Sequence, residues 1–186
     1  MERVYEKGEE NVKGVFSRSE ETSIISFLNG KHPSKAYMPA LDISTNTFHS
    51  WKAKGFIDYP DVGTGNPLFL SGAYLLYVQC VVYLRDAGFS LRKVCKSSLE
   101  DRVKDFVNYF TSTYESNEYI EEKYAVFKYN DLCTRTEAEW HLCTKNEILK
   151  EAGKSVDGVT LGSPIFIALP LKRYAFNLSE NVRLWY

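Results

Sequence analysis

The stretch that decides the fold is residues 43–57, which read ISTNTFHSWKAKGFI. Ser44 is a favourable N-cap residue, because its hydroxyl can accept a hydrogen bond from the unpaired amides at a helix start. Phe48 and Trp51 follow at the spacing of one helix face, and Lys54-Gly55 ends the periodic segment. The pattern predicts a short helix with a buried aromatic face and a polar face turned outward.

The flanking segments extend this pattern in both directions. Residues 34–41 predict a short or distorted helix, because Pro39 would lie inside it and an interior proline loses a hydrogen bond. Residues 58–67 are rich in Pro, Gly, Asp and Asn, and they predict a hairpin or a loop. Ser71 can cap a further helix, whose apolar residues recur at helical spacing nearly as far as Gly88.

Two blocks of this region resemble the MerR family of transcriptional regulators. Residues 43–57 match the family pattern V-S-x-R-T-L-R-Y-Y-E-x-x-G-L-I. The second block is residues 71–94, in which residues 84–91, LRDAGFSL, match L-R-x-x-G-F-S-L. The separation of the two blocks matches as well, and the region covers about a third of the chain. The resemblance implies a winged helix-turn-helix over residues 34–97, with its recognition helix at about Ser44–Lys54.

The resemblance also implies which residues contact double-stranded DNA. The second helix of a helix-turn-helix lies in the major groove, and its first residues reach the base edges. By match to the family, Thr45, Asn46 and His49 take that place, and Asn can pair bidentately with adenine. The full implied set is Ser44, Thr45, Asn46, Thr47, His49, Ser50, Lys52, Lys54 and Arg85, in which the lysines would hold phosphate oxygens.

The chain departs from the family pattern at several of these positions. His49 stands where the family has Arg, and Ser50 stands where it has an aromatic residue. Residues 59–70 contain no Lys or Arg, so a wing formed there would make few phosphate contacts. Basic residues can instead come from Arg85, Arg92, Lys93 and Lys96. Alternatively, the fold serves protein contact without reading DNA.

A connecting helix is expected over residues 98–120. Its apolar residues recur with a 3–4 spacing that is typical of a helix packed against another helix. We therefore predict a homodimer whose interface is formed by Leu99, Val103, Phe106 and Phe110.

The two ends of the sequence lie outside the resemblance. Residues 1–33 predict a polar arm with one short helix, which starts at the capping-box pair Ser17 and Glu20 and is followed by a break at His32-Pro33. Residues 121–186 predict a small β-rich region of unknown role. Its expected strands lie near 125–129, 140–142, 165–169, 174–176 and 182–185, with a brief helix that Thr144 and Glu147 cap.

The composition is that of a folded protein with almost balanced charge. The 186 residues carry a formal net charge of −1, which argues against a protein that coats nucleic acid by overall charge alone. The sequence starts without an apolar signal segment, and no stretch reaches the roughly 18 apolar residues of a membrane span. We therefore expect a cytoplasmic protein that does not contact a membrane and keeps its four cysteines as reduced thiols.

No motif in the sequence indicates catalysis. Gly63-Thr64-Gly65 lacks the Lys-Ser/Thr that completes a phosphate-binding loop, and no Gly-x-Ser-x-Gly element is present. We therefore expect neither an enzyme nor a cofactor. Cys133, His141 and Cys143 suggest a metal- or redox-responsive regulator as an alternative. We expect no metal there, because a structural zinc site needs four ligands and no Cys-x-x-Cys pair exists.

These observations predict an α+β protein that binds DNA sequence-specifically and regulates transcription as a homodimer, with an unidentified small molecule or protein as a possible effector. The alternatives are a protein-interaction module, such as a phage or plasmid accessory protein, and the metal- or redox-responsive regulator. The operator, the regulated genes and the direction of regulation are not defined by the residues.

Overall fold

The computed structural model describes residues 16–63, 66–95, 97–129, 140–154 and 165–185. The helices in these ranges are α1 (Arg18–Asn29), α2 (Ser34–Ala40), α3 (Thr45–Ala53), α4 (Gly72–Asp86), α5 (Leu91–Cys95), α6 (Leu99–Glu115), α7 (Lys145–Lys154) and α8 (Leu171–Arg183). The strands are β1 (Lys31–Pro33), β2 (Phe69–Ser71), β3 (Lys123–Tyr129), β4 (Trp140–Thr144) and β5 (Ile165–Pro170). They form an antiparallel β1-β2 pair and an antiparallel sheet of order β4-β3-β5. The chain is therefore α+β, as predicted.

Serine caps start three of the helices where the sequence predicts them. Ser17 caps α1 in a full capping box with Glu20, and Ser44 and Ser71 accept hydrogen bonds from the third amide of α3 and α4. The Ser17 amide and hydroxyl both donate to the Glu20 carboxylate, which holds the pKa of Glu20 below its ordinary value. These bonds supply partners that the first amides of a helix otherwise lack.

A tight connection joins α2 to α3. It runs from Leu41 to Ser44, and Asp42 adopts the left-handed conformation with φ of 52°. Pro39 lies in the last turn of α2, so the helix is short, as the sequence predicts. Phe48 of α3 packs on Tyr37 of α2 with ring centroids 5.8 Å apart, which fixes the two helices against each other.

The two-stranded sheet was not predicted. His32-Pro33 was expected to break the chain, but Pro33 pairs with Phe69 and Lys31 pairs with Ser71. Segment 58–67 holds no strand among its described residues, so of the two predicted alternatives, a hairpin or a loop, the described residues form a loop. Beside the sheet, the Gly72 amide donates to the Gly30 carbonyl at 3.1 Å. The end of α1 and the start of α4 are therefore joined at one place.

One hydrophobic core runs through the described residues, with α4 at its centre. Helices α1, α5, α6 and α8 pack against α4. Core side chains come from all four segments that the sequence analysis separates, for example Ile24, Phe48, Phe106 and Leu178. Among the described residues, no helix combines the length and apolar character needed to cross a lipid bilayer.

The structure corrects the expected role of the α6 seam. Leu99, Val103, Phe106 and Phe110 are at most 1% exposed within the single chain. Helix α6 packs them against other elements of the same chain, including α4 and α1. An amphipathic helix needs an apolar partner, but its spacing does not say whether that partner belongs to the same chain. These four side chains belong to the core and are not available to a second copy.

The C-terminal region is mixed rather than β-rich. The expected strands at 125–129, 140–142 and 165–169 and the short helix after Thr144 are confirmed. The expected strands at 174–176 and 182–185 are wrong, because residues 171–183 form α8. Leu171, Ala175, Leu178 and Val182 recur at helical spacing and are buried on one face, which packs against α1. Burial of this face stabilises the helix.

A buried charge ties α8 to α1. The Lys172 Nζ atom donates to the Glu21 carboxylate at 2.9 Å and to the Ile120 carbonyl at 2.8 Å. The backbone amide of Lys172 donates to the Glu122 carboxylate at 3.0 Å. Burial raises the pKa of Glu122, although hydrogen bonds and positive charge from Lys172 and Arg173 oppose that rise. The junction of α1, α8 and β3 is thus a polar network inside an apolar surround.

Candidate nucleic-acid interface

Helix α3 presents its polar face to solvent and its aromatic face to the core. Phe48 and Trp51 are buried, whereas Thr45, Asn46 and His49 are exposed. Thr47 and Ser50 are half-buried, and the Thr47 hydroxyl lies 2.9 Å from the Ser44 hydroxyl that caps the helix. The first turn of α3 is therefore held rigidly while its outward side chains stay accessible.

Tyr59 organises two of the sequence-predicted residues. Its ring stacks on Phe48 with centroids 4.9 Å apart, and its hydroxyl lies 2.7 Å from Nδ1 of His49. On the same ring, the Lys52 ammonium lies 4.4 Å from the centroid, a cation–π contact. The loop after α3 thus bonds to the helix surface that the sequence analysis assigns to DNA.

The Tyr59 phenol lies in a partly apolar environment. Burial, and secondarily the charge of Asp61, raise the pKa of Tyr59. The phenol can either donate to Nδ1 of His49 or accept from it, and the imidazole tautomer decides which group is the donor. In either case the hydrogen bond orients a ring that stands exposed on α3.

The basic residues of the predicted set lie around α3. Lys54 is exposed, and Lys52 and Arg85 are half-buried. The Arg85 guanidinium lies 5.3 Å from the centroid of Trp51, and its Nε donates to Asp86 at 2.7 Å. Arg85 comes from the second resemblance block and Trp51 from the first, so the fold brings the two blocks into contact. Asp86 offsets part of the Arg85 charge.

Sequence reasoning missed Tyr59 as a member of this site. Its contacts with Phe48, His49 and Lys52 depend on the path of the loop after α3, and no local spacing indicates them. Among the alternative basic residues, Arg92 and Lys93 are exposed on α5, and Lys96 lies outside the described residues.

In the described part of the chain, no cluster of metal-ligating side chains supports the metal-responsive alternative. Cys133 lies outside it, and within it no group of three or more His, Cys, Asp and Glu side chains is placed to hold a metal ion. His141 is exposed and Cys143 is half-buried on β4. Burial raises the pKa of the Cys80 and Cys95 thiols, which disfavours the reactive thiolate form.

No protein-family model matches the chain, and no curated protein matches it either. The likeness to MerR regulators is therefore carried by residues 43–57 and 71–94 alone.

Proposed function

We propose that this chain binds duplex DNA sequence-specifically through α3 and regulates transcription, with a MerR-like winged helix-turn-helix over residues 34–97. One observation carries the proposal. The first turn of α3 is capped by Ser44 and anchored by Phe48 and Trp51, yet Thr45, Asn46 and His49 are exposed on it. Short polar side chains held on a rigid exposed helix start are the arrangement that reads base edges in the major groove.

The side chains divide into two roles. Asn46 offers a donor and an acceptor that suit the N6/N7 edge of adenine, and Thr45 can contact a base or a phosphate. Lys52, Lys54 and Arg85 supply positive charge beside the same helix, which suits phosphate oxygens. Because the net charge of the chain is −1, affinity depends on this local grouping rather than on the charge of the whole molecule.

The protein would act in the cytoplasm, and we propose that it binds as a homodimer to an inverted repeat. Because the α6 seam is buried, contacts between copies must come from other surfaces. Large apolar side chains that remain exposed include Tyr119, Leu149, Leu184 and Trp185.

A protein-interaction module is the second candidate function, and one segment favours it. Asp58, Asp61 and Val62 are exposed in the loop after α3. Acidic and apolar side chains without Lys or Arg suit a protein partner better than phosphate.

Selection from a random duplex pool, followed by sequencing of the bound fraction, tests the proposal. We expect enrichment of one motif arranged as an inverted repeat. Asn46→Ala should relax the preference at one or two positions, whereas Lys52→Ala should weaken all sequences alike and reduce the salt slope by about 1. Lys104→Ala is the matched control, because Lys104 lies on α6 and pairs with Glu100 at 2.9 Å.

The outcomes separate the two candidates. If the wild-type chain enriches no sequence and retains no duplex at low salt, DNA binding is wrong and the protein-interaction module takes its place. If a motif is enriched but neither Asn46→Ala nor Lys52→Ala changes binding, α3 is not the reading helix.

A further inference from the structure

A second basic surface lies beside the two-stranded sheet. Strands β1 and β2 and the start of α2 enclose a groove of about 520 Å³. It is lined by Lys31, Pro33, Ser34, Lys35, Pro67 and Phe69, and we call it the ribbon groove. None of the lining residues is acidic, so its local charge comes from the two lysines.

The two lysines of the groove have no carboxylate partner among the described residues, as is also the case for Lys52 and Lys54. Both groove lysines are exposed. By contrast, Lys104 and Lys172 each pair with a glutamate. Two unpaired ammonium groups along one groove favour an anionic partner with more than one charge.

Phe69 gives the groove an apolar component. Its ring is 49% exposed although it belongs to a strand, and it lies opposite Pro33 in the sheet register. A large exposed apolar side chain in the same groove as two lysines suits a partner that combines charge with apolar surface. The sugar-phosphate backbone of DNA has this combination, with one phosphate between successive deoxyribose rings.

We propose that the ribbon groove binds the phosphate backbone of duplex DNA and supplies the positive charge that residues 59–70 lack. This inference rests on the proposed function. Lys35 lies in the first turn of α2, and the first helix of a helix-turn-helix crosses the DNA backbone. The Ser34 amide donates to the Leu68 carbonyl at 3.0 Å, so the groove and the start of α2 are joined as one unit.

The groove supplies basic residues next to a segment whose own sequence contains none. Lys31 and Lys35 lie more than twenty positions before residues 59–70, which contain no Lys or Arg, but β1 pairs with β2 and brings them to the end of that segment. Lysine acts as a point charge toward phosphate, so it contributes affinity without reading sequence. The ribbon groove holds DNA in place, and α3 reads it.

The test measures the salt dependence of binding to a mixed-sequence DNA duplex. Each phosphate contact contributes about 0.9 to the slope of log affinity against log salt concentration. We expect the double variant Lys31→Ala/Lys35→Ala to lower that slope by about 1.8 and to weaken all duplex sequences alike. Phe69→Ala should weaken binding without changing the slope, and Lys31→Arg/Lys35→Arg should retain it. Lys104→Ala is the control and should behave as wild type.

The experiment distinguishes a groove that does not contact phosphate from a chain that does not bind DNA at all. If the wild-type chain binds the duplex but Lys31→Ala/Lys35→Ala keeps its slope, the ribbon groove does not contact phosphate, while DNA binding by the chain is retained. If the wild-type chain binds no duplex at any salt concentration, both proposals fall together. Circular dichroism of each variant confirms that a changed slope does not reflect unfolding.

Discussion

The Nδ1 atom of His49 lies 2.7 Å from the phenolic oxygen of Tyr59. His49 is exposed on α3, whereas Tyr59 is buried in the loop that follows and stacks on Phe48. An exposed imidazole otherwise rotates among several rotamers, and this contact holds it in one. One of the side chains that depart from the family pattern is therefore also the one that the loop orients.

Tyr59→Phe should separate orientation from packing. The variant keeps the ring on Phe48 and under Lys52 but removes the hydroxyl that bonds His49. We expect a loss of about 1 kcal/mol in unfolding free energy and a weaker base preference at one position, with an unchanged salt slope. Urea denaturation and pool selection measure these effects. The double variant with His49→Ala should add no further loss of preference. If Tyr59→Phe keeps the full base preference while His49→Ala loses it, the Tyr59 hydroxyl does not contribute to base reading.

Phe106→Ala distinguishes a core position from an interface position. Phe106 is fully buried within the single chain, so its truncation should cost about 3–5 kcal/mol whatever the protein concentration. Asn108→Ala, on the exposed face of the same helix, should change stability by less than about 0.5 kcal/mol. Chemical denaturation at several protein concentrations is the measurement. If the denaturation midpoint of the wild type rises with protein concentration and that of Phe106→Ala does not, the result would support a dimer interface on α6.

Gly72→Ala should be severely destabilising. A Cβ atom there would lie 2.0 Å from the Phe27 carbonyl oxygen, which is backbone and cannot rotate away. We expect a loss of at least about 3 kcal/mol by thermal or urea unfolding. Gly88→Ala is the comparison, because φ is +89° but no atom lies within 4 Å of the added group, so only conformational strain of about 1–2 kcal/mol results. Equal losses in the two variants would mean that α1 and α4 are not in close contact.

Lys172→Met should leave the Glu21 carboxylate buried without its main partner. The pair is 2.9 Å apart and both side chains are at most 9% exposed, so we expect a loss of about 3–5 kcal/mol in unfolding free energy. Glu21→Leu combined with Lys172→Met should recover most of that loss, because an apolar pair leaves no buried charge. Simple additivity of the two single losses would contradict a coupled pair.

Glu122→Gln should change the pH dependence of stability. Burial raises the folded-state pKa of Glu122 above its ordinary 4.5, so the folded chain holds this proton more tightly than the unfolded chain does. The corresponding stability is present below the unfolded pKa and is lost as pH rises through the folded pKa. The glutamine variant is neutral throughout, and its oxygen can still accept from the Lys172 amide. It should therefore be more stable than wild type at neutral pH and converge with it in acid. If the glutamine variant is less stable than wild type at neutral pH, the predicted rise in the pKa of Glu122 is wrong.

The elements predicted correctly from the sequence are those that depend on residues close together in the chain. Ser17, Ser44 and Ser71 cap helices through bonds to amides three residues away, so their pattern is visible in a short window. Strands β3 and β5 were predicted from their apolar content and alternation. For the site, the exposed residues of α3 follow from the placement of Phe48 and Trp51, which settles which face is buried.

The sequence did not predict the elements that depend on contacts between residues far apart in the chain. Strand β1 exists because it pairs with β2, which lies almost forty residues later, and a three-residue stretch ending in proline carries no such signal. Helix α8 was mistaken for two strands because Tyr174 and Phe176 alternate, while its buried face is defined by packing on α1. Tyr59 reached the site through the path of a loop, and the two groove lysines through a strand pairing.

The hydrogen bond between Gly72 and Gly30 has a mechanical consequence. The segment that carries α2 and α3 begins and ends at this bond, so its two ends are fixed to each other. Between these ends the segment is also held by the core, because α2 packs on α8 and Phe48 and Trp51 of α3 are buried. We therefore expect residues 30–72 to unfold together with the rest of the described chain and not as a separate unit.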